Sequence, residues 1–143
     1  MIGLIIVGHG FFSEGILSSV KLIAGEQQEV IGVNFECGQG SDILKGNIEN
    51  AIDNLNTDEV LILADLAGGS PFNVSVIISE KRKDKNIKVI SGMNLPMVLE
   101  ASLSRSNYIM EELVESVKNA GTIGIKAYKR NKIKETVEND DGI

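Results

Sequence analysis

Ile2-Gly3-Leu4-Ile5-Ile6-Val7-Gly8-His9-Gly10 is the stretch whose reading decides the fold. From Ile2 to Val7 the run is short, almost unbroken and apolar. Its length and the glycines around it predict a strand buried on both faces. A strand covered above and below needs helices on both sides of its sheet, which is the arrangement of an α/β domain.

Outward from that strand, the periodicity switches repeatedly between strand and helix. Ser13 to Ala24 carries Ile16, Leu17, Val20 and Ile23 at helical spacing, with Ser13 as the expected N-cap and Gly25 as the stop. Val30 to Phe35 alternates as a second strand. Asp42 to Leu55 is an amphipathic helix that Ser41 is placed to cap. Val60 to Ala64 is an apolar third strand. Ser70-Pro71 reads as N-cap and first helical residue of a helix that runs to about Lys83. Ile87 to Ser91 predicts a fourth strand. Leu95 to Ser104 and Ile109 to Ala120 predict helices, and Thr122 to Tyr128 a short fifth strand. Lys129 to Ile143 is charged and polar, and is expected to be a surface extension of a domain spanning 1–128. Alternation of this kind implies a mainly parallel sheet in a three-layer sandwich.

Composition narrows the function. A chain of 143 residues is one ordinary domain. Aromatic residues are 4% and Trp is absent, so the core is aliphatic. The net charge of −6 makes nucleic acid and anionic membrane surfaces poor partners. Cys37 is alone, which rules out an internal disulfide and fits a reducing compartment. The N-terminal run lacks a basic start and stops at Gly8, unlike a signal peptide. No apolar stretch is long enough to span a bilayer. Cytoplasmic residence is the expectation.

In open α/β sheets, ligands bind at the carboxyl ends of the strands. Three unusual segments fall there: Gly8-His9-Gly10, Asp65 to Asn73, and Gly92-Met93-Asn94. His9 is the only histidine. Its flanking glycines allow close approach, and a neutral imidazole is a competent nucleophile near pH 7. The plain alternative is a histidine that merely ends a strand. Asp65 is the best partner for it, since a carboxylate on one ring nitrogen fixes the tautomer and exposes the other nitrogen. Alternatively, Asp65 only terminates its strand. Gly68-Gly69-Ser70 leads into a helix N-terminus, where free N–H groups and the helix dipole favour phosphate. A tight turn and a cap use the same atoms. Gly10, Phe72, Asn73 and Asn94 are candidates for the pocket rim.

Several chemistries are excluded. No Gly-Lys-Ser/Thr follows the glycine loop, and no dinucleotide fingerprint follows the first strand. One histidine and one cysteine cannot supply the usual zinc ligand sets, so neither metal nor cofactor is expected. An Arg-His-Gly phosphatase fails because Gly8 stands where the arginine belongs and no second histidine exists. A phosphoaspartate receiver fails because His9 occupies the place of its acidic cluster.

Taken together, Ile5 to Gly10, Asp65 with Gly68-Gly69-Ser70-Pro71-Phe72-Asn73, and Gly92-Met93-Asn94-Leu95-Pro96-Met97 resemble the EIIA component of the mannose family of the bacterial sugar phosphotransferase system. The resemblance runs over roughly residues 1 to 128. It implies that His9 accepts phosphate from phospho-HPr as a phosphohistidine and passes it to an EIIB component. Membrane EIIC and EIID components act downstream, and no sugar is bound here. It implies Asp65 bonded to the histidine and Ser70 on the phosphoryl group. It further implies strand order 2-1-3-4 with an antiparallel fifth edge strand, at Thr122 to Tyr128, exchanged in a homodimer. Two alternatives stand beside it: the phosphoryl-transfer subunit of a dihydroxyacetone kinase, and a non-catalytic anion-binding α/β module.

Overall fold

The computed structural model describes residues 1–131. Four strands form one sheet: β1 Gly3–His9, β2 Val30–Phe35, β3 Glu59–Ala64 and β4 Asn86–Ile90. Their order is β2-β1-β3-β4 and every pairing is parallel. Five helices surround them: α1 Phe12–Ala24, α2 Ser41–Asn54, α3 Ser70–Lys81, α4 Leu95–Ser104 and α5 Met110–Ile123.

The central strands explain the unbroken apolar runs. Successive side chains on a strand point to opposite faces. Ile5 and Val7 of β1, with Val60, Ile62 and Ala64 of β3, pack under α2 and α3 against Leu44, Ile48, Ile52 and Ile78. Leu4 and Ile6, with Leu61 and Leu63, pack on the other face against Val20, Val98, Met110, Leu113 and Val117 of α1, α4 and α5. Both faces are covered, so Leu4 to Val7 and Val60 to Ala64 hold no polar residue. β2 and β4 lie at the edges and are only partly buried.

Three helices start earlier than their serines predict, α1 by two residues and α2 and α3 by one. The caps are Phe11, Gly40 and Gly69, whose carbonyls accept from Gly15, Leu44 and Asn73 at 3.0, 3.2 and 2.9 Å. Ser13 therefore sits inside α1, fully buried, and donates to Asn34 Oδ1 at 2.5 Å. Ser41 and Ser70 are first helical residues. The extended backbone that a cap requires is taken by Gly40 and Gly69 instead.

The expected fifth strand is absent among the described residues. Helix α5 continues through Thr122 and Ile123, and residues 124–131 carry no regular structure. A strand exists only by pairing, and among the described residues no segment pairs with the outer edge of β4. Ile125 and Tyr128 are left exposed. Of the polar extension expected over 129–143, residues 132–143 lie outside the described part.

At the N-terminal ends of the strands, Arg105 is only 3% exposed. Its guanidinium donates to the carbonyls of Ile2 (3.0 Å), Glu29 (3.1 Å) and Gln28. Burial pushes its pKa below the ordinary arginine value, against the opposing pull of Glu29. Glu29 has φ +56, a left-handed conformation that a non-glycine residue adopts at a cost. Its carbonyl also accepts from Leu4 N–H at 2.9 Å.

Candidate functional site

The order β2-β1-β3-β4 places a switch point between β1 and β3. The chain leaves β1 for one neighbour and returns to the sheet at the other, opening a crevice at the carboxyl ends. Val7 pairs with Ala64 at the last rung of that ladder. His9 lies two residues beyond Val7 and Asp65 one beyond Ala64, so residues separated by 56 positions meet.

Their contact is close and doubled. Nδ1 of His9 lies 2.8 Å from Asp65 Oδ2, and the backbone N–H of His9 donates to the same oxygen at 2.8 Å. An ionised carboxylate can only accept, so Nδ1 carries the ring proton. The lone pair is thereby assigned to Nε2. The His9 side chain is 46% exposed and that of Asp65 11%. The imidazole is therefore open to an incoming group, while the carboxylate bonded to it is shielded. Asp65 Oδ1 is buried without a hydrogen-bond partner among the described residues.

Backbone geometry makes room for this pair. A Cβ on Gly8 would stand 3.2 Å from both Asp65 Oδ2 and Phe12 Cβ. Gly10 has φ +59, which turns the chain from β1 into α1, and its N–H donates to Phe35 O at 2.8 Å. Phe35 is the register partner of His9 on β2, and its ring meets the imidazole edge-on at 5.8 Å between centroids. Phe35 was not among the residues singled out from the sequence. The available signal was strand register: two parallel strands ending level place their last side chains together.

The third wall is the loop after β3. Gly69 lies so close that an added Cβ would stand 2.8 Å from His9 Cε1 and 3.4 Å from Nε2. Gly68 has φ +83, and Gly69 N–H turns back to Leu66 O at 3.1 Å. The first intrahelical bond of α3 runs from Asn73 N–H, so the N–H groups of Ser70 and Phe72 have no acceptor inside the helix, and Pro71 has none to offer. These donors and the positive end of the α3 dipole lie beside the exposed ring nitrogen. The combination can hold an oxyanion next to a nucleophile.

Two rim candidates take other roles. Asn94 caps α4, accepting from Met97 N–H at 3.1 Å, and its amide donates to Gly121 O at 3.1 Å. It lines an open apolar hollow of about 470 Å³ with Phe12, Ile16 and Met93, and His9 is not part of that lining. Phe72 is half-buried and packs on the core under α3. Gly10 follows His9 in the chain, and the Asn73 amide donates to Gly68 O at 3.0 Å. Around the site Phe11, Phe12 and Leu66 are exposed. No group of three or more metal-ligating side chains occurs among the described residues, and no described helix is long and apolar enough to cross a membrane.

Residues 3–118 match a family model described as the PTS system fructose IIA component. The chain is 33% identical over 119 residues to the fructose-specific EIIA component of Bacillus subtilis, covering 82% of this chain and 80% of that protein. It is 34% identical over 131 residues to the mannose-specific EIIAB component of Escherichia coli. That alignment takes in 90% of this chain, which spans 40% of the length of the Escherichia coli protein. Among solved structures it resembles a phosphotransferase system EIIA component from Streptococcus agalactiae, with a TM-score of 0.84 and 44% identity over 89% of this chain and 97% of that one.

Proposed function

The chain belongs to the PTS fructose IIA family, and we propose that it is the phosphoryl carrier of a sugar uptake system, with His9 Nε2 as the atom that is loaded. The observation that carries this reading is the pairing of His9 Nδ1 with Asp65 Oδ2 at 2.8 Å while the ring stays open.

The step balances simply. Nε2 attacks the phosphorus of phospho-HPr in line; the P–N bond of the donor breaks as a new P–N bond forms on His9. Nδ1 keeps its proton, so the phosphorylated ring is cationic. Asp65 offsets that charge through the same short contact. The equatorial oxygens need donors more than acid–base chemistry, and the Ser70 hydroxyl with the free N–H groups of α3 supplies them. Reversal of this step onto an EIIB component passes the group towards the membrane EIIC and EIID components. The sugar is chosen there. Exposed Phe11, Phe12 and Leu66 give both soluble partners an apolar collar around the reacting atom. This relay runs in the cytoplasm.

In the same reading, residues 1–128 form the carrier domain. Residues 124–128, beyond the end of α5, add an antiparallel strand to the sheet of a second copy, making a homodimer. The open outer edge of β4 and the exposure of Ile125 and Tyr128 support that exchange.

The test is intact mass after incubation with phosphoenolpyruvate, enzyme I and HPr. One acid-labile phosphoryl addition, lost in His9→Ala, is the expected result. A folded chain that gains nothing from active phospho-HPr refutes the relay and leaves the anion-binding module.

A further inference from the structure

Asn73 lies one turn into α3, and nothing in the transfer step calls on it. Yet it holds two consecutive carbonyls of the loop that walls the histidine. Its backbone N–H donates to Gly69 O at 2.9 Å, and its side-chain amide donates to Gly68 O at 3.0 Å. A carbonyl can only accept, so the side chain presents Nδ2 here and its Oδ1 faces away.

The position of this loop matters because Gly69 touches His9. A Cβ added to Gly69 would stand 2.8 Å from His9 Cε1, so the bare glycine lets the loop lie close to the ring, and movement away widens the gap to Nε2. Gly68 holds φ +83, a conformation that glycine reaches readily and leaves as readily. Two glycines in succession have no side chains of their own to fix them. The bond from Gly69 N–H to Leu66 O closes one side of the turn. Asn73 closes the other.

We infer that Asn73 is a positioning residue for phosphoryl transfer: its side-chain amide fixes the Gly68-Gly69 turn so that the N-terminal donors of α3 stand ready beside His9 Nε2. The role assigned to Asn73 uses the one Nδ2 hydrogen that it gives to Gly68 O. The inference rests on the relay reading above.

Asn73→Asp separates this role from simple packing. Aspartate has the same size and shape but no donor, and its negative oxygen would face the Gly68 carbonyl. Both Asn73→Asp and Asn73→Ala are expected to lower the transfer rate at saturating phospho-HPr about tenfold, because donors displaced by a fraction of an ångström stabilise the transition state less. KM for phospho-HPr is expected to stay the same. Amide hydrogen exchange at Gly69 and Ser70, followed by NMR, is expected to speed up in both variants while the core of the sheet stays protected. Wild-type rates in Asn73→Asp overturn the inference. So does a change in KM alone, which would place Asn73 in partner contact. If Asn73→Ala fails to fold, Asn73→Asp and its exchange data decide alone. A wild-type chain that takes no phosphate refutes the relay itself, whereas a phosphorylated wild type with an unchanged variant refutes only the role of Asn73.

Discussion

Gly69→Ala places one methyl group against the imidazole, and the structure sets the size of the conflict. The new Cβ would stand 2.8 Å from His9 Cε1 and 3.3 Å from Leu66 O, whereas ordinary contact begins near 3.4 Å. The shortfall on the ring is 3.4 minus 2.8, or 0.6 Å. The ring cannot absorb it freely, because Nδ1 is held by Asp65 and the far side meets Phe35. The backbone at Gly69, φ −78 and ψ 163, suits alanine well. Stability is therefore nearly unaffected: replacing glycine by alanine at a cap costs up to about 1 kcal/mol, and the stiffer unfolded chain returns about 0.4–1 kcal/mol. A misplacement approaching 1 Å at a reacting atom costs on the order of 10²-fold in rate. The assay is rapid-quench transfer from phospho-HPr, with thermal unfolding alongside. We expect transfer to fall on the order of 10²-fold with Tm within about 5 °C of wild type. Wild-type transfer in the folded variant would show that ring or loop yields without cost, and the rigid clamp would be refuted. A large fall in Tm would show that the contact supports the fold rather than the chemistry.

Asp65→Ala frees the imidazole to adopt either tautomer and removes the counter-charge; transfer is expected to drop on the order of 10²–10⁴-fold, with circular dichroism confirming a retained fold. Ser70→Ala removes a hydroxyl that is not a helix cap. Little stability is lost, by less than about 0.5 kcal/mol, and the expected effect is a phosphohistidine that hydrolyses a few times faster, followed by intact mass over time. Arg105→Ala strands the carbonyls of Ile2, Gln28 and Glu29 and is expected to cost about 2–4 kcal/mol in urea unfolding. Transfer per folded molecule stays unchanged there, because Arg105 sits at the opposite ends of the strands from His9.

The sequence by itself determined the class of the fold and singled out the candidate for the reacting group. The apolar runs of β1 and β3 carry side chains that must be covered on both faces, and only a sandwiched parallel sheet does that. A single histidine between two glycines left one candidate nucleophile. Helix starts were misread by two residues at Ser13 and by one at Ser41 and Ser70; at the latter two a cap is defined by extended backbone rather than by a hydroxyl, and Gly40 and Gly69 took that conformation first. The fifth strand is not formed within the single chain for a different reason: a strand is a property of a pair, and residues 124–131 pair with no strand among the described residues. Only the tertiary structure decided that the backbone and ring of His9 meet one oxygen of Asp65, that Phe35 and Gly69 lie against the ring, and that Asn94 caps α4. Those are distances between residues far apart in the chain. They follow from strand order and register, which local periodicity does not encode.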